Sequence, residues 1–511
     1  MPHRFLRSPN KNLLFIFFLP VFFVLHGINE NFGLIPTHVI FRLSTYYFMV
    51  TLGIIGLSFF LLRKADTSSI FSLYLLSVFF LFGAFHDFLK SVINSRFFVS
   101  YTFLLPLISI ITVVFFISLR KREKISKRST RYFYYLVGIF AMLEIGVLIK
   151  NIITNRSINN NLTSKTDKLN LTSTCVDKEK PDIFFIVLDG YPSSKSLKED
   201  FHYDNYKTDS LLKDNHFFMS SLSRSNYNMT AFSLGSTMNL DYLKKGIEGK
   251  TANVRRTMEA IETLKSNVLM NYLEQQGYKI ENYGCFDFDV APCQTKPFFW
   301  DFYYSQIEDQ TLYSRIRRDI GRNFSVRNIF TGALRIPKSY KAEKAYHLYR
   351  NNYNFNGLIK ELSTRNDTPR FIYTHLILPH RPIFLDSNGK EVSDTAILTE
   401  KINIKEGYLG QVKYTNTLLQ KIIPLIVAPS DRPRVVILEG DHGFREFGPE
   451  VPGDRMFMNL NAYYFSDRDY SRLYDGISPV NSFRVVLNKY FCQSLAMRKD
   501  SSVYLIDTEK K

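Results

Sequence analysis

Five apolar runs in the first third of this chain constrain its fold more than any other feature of the sequence. An α-helix needs about 20 mostly apolar residues to cross the hydrocarbon core of a bilayer, which is about 30 Å thick. The runs lie near residues 13–28, 44–62, 70–85, 97–119 and 132–149. The first and third are short at their strict edges, and each can borrow flanking residues. The sequence therefore predicts a five-helix transmembrane domain over residues 1–150.

The first run also has the basic start and apolar core of a secretory signal peptide. No small-x-small cleavage site follows it, and four more apolar runs do. We therefore interpret it as a retained helix.

Basic residues predict the orientation of these helices, because Lys and Arg concentrate in cytoplasmic loops. Three basic clusters lie at residues 4–11, 63–64 and 120–131. With five spans they all fall on one side, which places the N-terminus in the cytoplasm and the chain after Lys150 outside the membrane; an error of one helix would reverse this. The net charge of +18 comes partly from these anchors. It therefore does not indicate a nucleic-acid partner.

The rest of the chain divides into a polar linker over residues 151–180 and an α/β domain over residues 181–511. Asp182–Leu188 is a continuous apolar run, typical of a strand buried on both faces. Further strands are predicted at 278–283, 370–378 and 435–438, and helices at 253–276 and 407–426. Strands that alternate with helices predict a mostly parallel central sheet.

All four cysteines follow the predicted membrane region, where disulfides are permitted. Cys285 and Cys293 are close enough in sequence to close a small disulfide loop, and two buried free thiols are the alternative. There is no CxxC motif, so a zinc knuckle or a thioredoxin-like role has little support.

Residues that suit a divalent metal follow three of the predicted strands. Asp189 ends the first strand, His375 and His380 flank the end of another, and Asp441 and His442 follow a third. Ligands bind at the C-terminal ends of the strands in such sheets. Carboxylate oxygens with an imidazole suit Zn²⁺ or Mn²⁺. The sequence therefore predicts a metal site at this edge of the sheet.

Thr230 and Arg381 are the other candidate site residues. Thr230 lies in a polar loop before a short helix predicted to start near Ala231. A hydroxyl at a helix N-terminus is near the positive end of the helix dipole, which favours an alkoxide or a bound anion. A simple N-cap threonine is the alternative. Arg381 offers a guanidinium to a phosphate or sulfate oxyanion, or is a surface arginine.

These segments resemble the sulfatase-like branch of the alkaline phosphatase superfamily over about residues 181–492. The motifs that carry the resemblance are VLDG at Asp189, NMTAFS at Thr230, HLILPH at 375–380 and GDHG at Asp441. The Thr-Ala-Phe-Ser segment and the spacing of the two histidines resemble bacterial phosphoethanolamine transferases. Five helices followed by an exported catalytic domain are similar to those transferases and to lipoteichoic acid synthases.

The resemblance implies a role for each candidate residue. Asp189, Thr230, Asp441 and His442 would bind the metal, and Thr230 would also be the nucleophile. His380, with His375 and Arg381, would bind substrate, or His380 would help to hold a second metal.

The sequence departs from the family pattern at three points, and the first of them argues against the formylglycine route of true sulfatases. No cysteine lies in a Cys-x-Pro-x-Arg segment, whose first residue becomes formylglycine in true sulfatases, and Thr230 occupies the nucleophile position. No histidine follows His442, whereas relatives with two metals use a further one. Asp189 stands where the lipid-phosphate transferases often have Glu.

The resemblance implies a membrane-anchored, metal-dependent enzyme with an extracytoplasmic catalytic domain. It would transfer a phospholipid-derived phosphoryl head group to a cell-surface glycan or lipid through a phospho-threonine intermediate. The alternatives are a phosphodiesterase or sulfuric-ester hydrolase of the same superfamily, or a non-catalytic membrane-tethered binding protein. The sequence does not predict the donor, the acceptor, the metal or the oligomeric state.

Overall fold

A computed structural model describes residues 15–122, 127–163, 171, 179–243, 251–297, 300–320, 338–398, 402–447 and 453–507. The described helices are α1 (Phe18–Glu30), α2 (Thr37–Leu62), α3 (Ala65–Val92), α4 (Tyr101–Lys121), α5 (Lys127–Thr163), α6 (Ser194–Phe201), α7 (Tyr206–Asp214), α8 (Thr230–Met238), α9 (Val254–Lys265), α10 (Val268–Gln275), α11 (Trp300–Glu308), α12 (Leu312–Asp319), α13 (Lys338–Ser363), α14 (Asp394–Leu398), α15 (Ile404–Val427) and α16 (Pro479–Tyr490). The described strands are β1 (Asp182–Leu188), β2 (Phe218–Met219), β3 (Thr251–Ala252), β4 (Lys279–Tyr283), β5 (Arg370–Leu376), β6 (Arg434–Glu439), β7 (Asn461–Phe465) and β8 (Ile506–Asp507).

The chain forms two compact units. The first contains Met1–Thr163 and Phe299–Arg335, and the second contains Ser164–Phe298 and Ile336–Lys511.

Four helices of the first unit are long and apolar enough to cross a membrane: α2, α3, α4 and the part of α5 over Tyr135–Ile153. They correspond to four of the five predicted spans. The helix α1 has 13 residues, fewer than the about 20 that a span needs. The predicted first span began at residue 13, outside the described residues, so the fifth span stays a prediction. The helix α5 continues to Thr163, so it includes the first residues of the predicted linker, whose bounds stay a prediction.

A polar cluster joins α1 to α5 within this apolar unit. The Nδ1 atom of His26 lies 2.9 Å from Oε1 of Glu144. Asn29 donates to Oε2 of the same carboxylate at 2.6 Å. A charge among membrane-length helices needs such partners, because it is costly to leave unpaired in an apolar medium.

The helices α11 and α12 interrupt the second unit in sequence and belong to the first. Arg315 on α12 pairs with Asp87 on α3 through both guanidinium Nη atoms, one of them at 2.8 Å from Oδ1. The amide of Gly83 donates to the carbonyl of Gln310 at 2.8 Å. A Cβ at Gly83 would lie 2.6 Å from Cα of Gln310. The start of α12 and the turn before it therefore pack directly on α3, a contact that no local sequence pattern predicts.

The second unit is built on a six-stranded sheet in the order β2-β7-β6-β1-β5-β4. The strands β6, β1, β5 and β4 are mutually parallel, and β7 is antiparallel to both of its neighbours. Every residue of β1 is buried, as its continuous apolar run predicts. The predicted α/β fold with a mostly parallel sheet is confirmed.

The single helix predicted at residues 253–276 is wrong, because the structure has α9 and α10 there. The break follows from Asn267, whose side-chain oxygen accepts a hydrogen bond from the amide of Met270 at 2.9 Å. An asparagine in this geometry is an N-cap, which begins a new helix.

A buried ion network joins the first residues of β1 and β5. Arg370 lies 2.8 Å from Oδ2 of Asp182 and 3.0 Å from Oε2 of Glu361 on α13. Their side chains are only 2%, 7% and 8% exposed. Because buried charges are tolerated only when they are paired, this network fixes where the two neighbouring strands begin.

The expected disulfide between Cys285 and Cys293 is absent, because both are free thiols. The Sγ atom of Cys285 lies 3.3 Å from Nδ1 of His375. Cys293 donates to the carbonyl of Gly284 at 2.9 Å. Each thiol therefore has a polar partner of its own. Cys492, in contrast, is disulfide-bonded.

Candidate metal centre

Three neighbouring strands bring the predicted site residues to one edge of the sheet. Asp189 directly follows β1, and its amide donates to the carbonyl of Leu376 at the end of β5, at 2.9 Å. Asp441 and His442 come just after the end of β6. The three strands are parallel neighbours, so their C-terminal ends lie side by side.

Thr230 reaches the same edge as the first residue of α8. The N-cap position belongs to Met229, whose side chain makes no capping hydrogen bond. Thr230 is therefore not the N-cap that the alternative interpretation required. The helix is held at the site because Ser233 donates its hydroxyl to the carbonyl of Asp441 at 2.6 Å.

Three oxygen atoms surround the Nε2 atom of His442 at nearly equal distances. Oδ1 of Asp189 lies at 3.6 Å, Oδ2 of Asp441 at 3.5 Å and Oγ1 of Thr230 at 3.5 Å. The other ring nitrogen, Nδ1, lies 2.7 Å from the carbonyl of Gly443. A carbonyl only accepts, so Nδ1 carries the proton and Nε2 presents its lone pair to the three oxygens.

These separations fit the ligands of one divalent ion. For metal–ligand distances of about 2.0–2.2 Å, tetrahedral ligands lie about 3.3–3.6 Å apart. Neither Oδ1 of Asp189 nor Oδ2 of Asp441 has a hydrogen-bond partner among the described residues, although both side chains are buried. Buried polar atoms are normally satisfied. A cation between these oxygens would satisfy both, and the donor set suits Zn²⁺ or Mn²⁺.

The electrostatics of the buried groups also favour a cation. Burial, and then the neighbouring carboxylate of Asp189, raise the pKa of Asp441 to about 6. Burial lowers the pKa of His442, which keeps its ring neutral. A divalent ion would relieve the repulsion between the two carboxylates.

The predicted histidines His375 and His380 have different positions. His375 is completely buried, with Nε2 3.4 Å from Oδ2 of Asp189 and Nδ1 2.9 Å from the hydroxyl of Tyr373. It lies behind Asp189, and the substrate contact expected of His375 stays a prediction. His380 is partly exposed, and one of its ring nitrogens lies within 4.8 Å of ligand atoms of both Asp189 and His442.

An open pocket at this edge is lined by Gly190, His380, Arg381, Tyr408, His442, Gly443, Phe444, Arg445 and Glu446. The exposed Arg381 forms an ion pair with Glu446. Sequence reasoning missed Arg445, whose Nη2 atom lies 2.6 Å from Nε2 of His380. Its only signal in the sequence was its position three residues after His442.

Gly190 allows the close approach of the two histidines. Its φ of +70° is in the left-handed region, and a Cβ there would lie 3.3 Å from Cε1 of His442 and 3.5 Å from Cδ2 of His380. Glycine fits this turn without strain.

The sheet and the candidate centre together define a class of protein. It is an α/β domain in which potential metal ligands lie together at the C-terminal ends of the central parallel strands. The sequence model of the sulfatase family matches residues 181–481, more than half of the chain. The chain belongs to the sulfatase family, and the resemblance found in the motifs is confirmed. No curated protein matches the chain.

Several solved structures are similar at low identity. The C-terminal periplasmic domain of phosphoethanolamine transferase EptC from Campylobacter jejuni has 13% identity and a TM-score of 0.37, with 63% of this chain and 92% of that chain covered. The integral membrane lipooligosaccharide phosphoethanolamine transferase A from Neisseria meningitidis has 12% identity and a TM-score of 0.36, with 93% and 95% covered. The periplasmic domain of EcEptC from Escherichia coli, in complex with Zn, has 11% identity and a TM-score of 0.36, with 65% and 88% covered. At these values the three structures support no functional conclusion for this chain.

Proposed function

We propose that this chain is a membrane-anchored, metal-dependent transferase that moves a phosphoryl-linked head group from a membrane phospholipid to an acceptor hydroxyl. The observation that carries the proposal is the placement of three oxygens, including the Thr230 hydroxyl, at 3.5–3.6 Å from Nε2 of His442. A hydroxyl among metal ligands is in the position of an activated nucleophile. Threonine at this position also argues against the formylglycine route of true sulfatases.

Asp189, Asp441, His442 and Thr230 are the residues that would hold the ion. When bound, a divalent ion lowers the pKa of a ligating hydroxyl and neutralises charge on the group being transferred. His375 would orient the carboxylate of Asp189 from behind, as outer partners of metal ligands do. The N-terminal end of α8 adds a partial positive charge next to Thr230.

The transfer proceeds in two displacements at phosphorus. Oγ1 of Thr230 forms a bond to the phosphorus of the donor as the bond from phosphorus to the diacylglycerol oxygen breaks. The hydroxyl proton of Thr230 ends on that diacylglycerol oxygen, and a phospho-threonine diester remains. An acceptor hydroxyl then attacks the same phosphorus, and its proton returns to Thr230. The products are diacylglycerol, the modified acceptor and the unchanged enzyme.

The helices of the first unit support a lipid donor. Four of them have membrane length, and a chain anchored in a bilayer meets phospholipids at high local concentration. The predicted orientation places the second unit outside the cytoplasm, where a surface glycan or lipid is the expected acceptor.

The test uses the purified full-length chain in detergent, loaded with Zn²⁺ or Mn²⁺ and mixed with vesicles that contain phosphatidylethanolamine. We expect diacylglycerol release that stops on chelation and falls at least about 10³-fold in Thr230→Ala, as when other catalytic nucleophiles are removed. Thr417→Ala is the matched control, because Thr417 is an exposed threonine on α15. Equal rates for Thr230→Ala and the wild type would refute the proposal.

A further inference from the structure

Arg445 joins two sides of the pocket through contacts that the proposed mechanism has not used. Its Nη2 atom lies 2.6 Å from Nε2 of His380, in the turn that follows β5. Its Nη1 atom donates to the carbonyl of Asn228 at 3.0 Å, two residues before Thr230. The guanidinium of Arg445 therefore links the loop that precedes Thr230 to the imidazole of His380.

The chemistry of the partners fixes the direction of the contact with His380. A guanidinium stays protonated and only donates hydrogen bonds, so Nε2 of His380 is the acceptor. The other ring nitrogen, Nδ1, lies 2.7 Å from the carbonyl of Arg381 and must carry the proton. The single lone pair of the His380 ring is therefore already used by Arg445.

This arrangement removes His380 as a free metal ligand, both for an ion held by Asp189 and His442 and for a second ion. A ring nitrogen of His380 lies close enough to Asp189 and His442 to share an ion with them. A metal and the guanidinium cannot use the same lone pair at once.

A charge count shows what Arg445 adds to the centre. The two ionised carboxylates of Asp189 and Asp441 and one divalent ion sum to zero, so they alone have no net attraction for a phosphodiester. The nearby Arg381 is paired with Glu446. Among the described residues Arg445 contacts the carbonyl of Asn228 and the ring of His380 and has no carboxylate partner, so it supplies the excess positive charge.

We infer that Arg445 takes the place of a second metal ion: it engages the lone pair of His380 and donates its remaining N–H groups to the anionic oxygens of the transferred group, in a centre that holds one divalent ion. The planar fork of donors matches a phosphate geometrically. The inference builds on the proposed function, because the phosphoryl group is the ligand that we assign to this arginine.

Two binding measurements on the full-length chain in detergent test the inference. Metal analysis after Zn²⁺ loading is expected to find one tightly bound ion per wild-type chain. Calorimetric titration with inorganic phosphate is expected to show at least about tenfold weaker binding to the Zn²⁺-loaded Arg445→Ala variant, because the variant loses charge-assisted hydrogen bonds to the anion. The variant should keep its single ion. Arg224→Ala is the control, because Arg224 is an exposed arginine that pairs with Asp454.

Two tightly bound ions in the wild type would overturn the inference, and so would unchanged phosphate affinity in Arg445→Ala. If that variant does not fold, Arg445→Lys replaces it. The lysine keeps the positive charge, so the chain should still bind one ion. It lacks the planar guanidinium, so phosphate binding should still be weaker. Neither measurement uses the transfer reaction. A chain that binds one ion, and phosphate through Arg445, yet releases no diacylglycerol would refute the proposed function and leave this inference standing.

Discussion

At the scale of single residues, Asp189 has two oxygens in different surroundings. Oδ2 lies 3.4 Å from the imidazole of His375, whereas Oδ1 has no hydrogen-bond partner among the described residues. A buried carboxylate oxygen without a partner is costly to desolvate. Its cost is offset when the oxygen binds a cation, which makes Asp189 the most direct test of the centre.

We expect Asp189→Asn to weaken Zn²⁺ binding by more than about 100-fold, because even outer partners of metal ligands contribute 10–100-fold. The amide keeps the shape of the side chain, so the fold should be retained. His375→Gln, which changes such an outer partner, should cost less. Competition between the protein and a chelator measures both affinities, and wild-type affinity in Asp189→Asn would contradict the assignment.

The buried network at Arg370 gives a stability prediction at the same scale. We expect Arg370→Ala to destabilise the protein by about 3–5 kcal/mol, because it leaves the buried carboxylate of Glu361 without its ion pair and Asp182 with only the longer contact to Arg432, at 4.0 Å. The control is Arg365→Ala, which removes an exposed pair with Asp431 and should cost under about 1 kcal/mol. Thermal unfolding in detergent compares them, and similar shifts for both variants would show that the network is not structurally important.

At the scale of elements, the bounds of the strands that precede the candidate site residues could be predicted from the sequence. The strands β1, β5 and β6 lie within two residues of their predicted bounds, because a strand buried on both faces must be apolar throughout. Asp189, Asp441 and His442 follow directly from where those strands end. Thr230 at the start of α8 is also within one residue of the expected helix start.

The rest depends on tertiary contacts that no local pattern reports. The contact of Arg445 with His380 joins residues far apart in the chain, and an arginine in a loop usually indicates only a solvated surface. His375 follows the predicted strand pattern, but its burial behind Asp189 depends on how the neighbouring elements cover it. The packing of α12 on α3 through Arg315 and Asp87 likewise joins distant residues.

That packing gives a prediction for the α11–α12 segment. We expect Gly83→Ala to destabilise the protein by about 1–3 kcal/mol, the usual cost of overpacking, because a Cβ there would lie 2.5–2.7 Å from atoms of Gln310. Gly53→Ala on α2 is the matched control, since a Cβ at Gly53 meets nothing within 4 Å. The measurement is thermal unfolding in detergent, and equal melting temperatures would exclude close packing at Gly83.

At the scale of the whole molecule, the membrane orientation depends on whether the first apolar run spans the bilayer. Four helices have membrane length, and an odd total of five places the second unit on the side opposite the N-terminus. The basic clusters at residues 63–64 and 120–131 then both lie in the cytoplasm, as positive loops do.

Protease added to intact spheroplasts tests this orientation on a chain with an N-terminal epitope tag. With five spans, the second unit is digested while the tag stays protected. With four spans, the tag and the second unit would lie on the same side and share the same fate. Lysed spheroplasts serve as the control, because both parts should then be digested.

The central claim is that Thr230 is the nucleophile of a head-group transfer, and its covalent adduct is the most direct observation. The wild-type chain, loaded with Zn²⁺ or Mn²⁺, is incubated with phosphatidylethanolamine vesicles without an acceptor, quenched in acid and analysed by peptide mass spectrometry. We expect the peptide that contains Thr230 to gain the mass of a phosphoethanolamine group in step with diacylglycerol release. An adduct on another residue, or continued diacylglycerol release by Thr230→Ala, would contradict the claim.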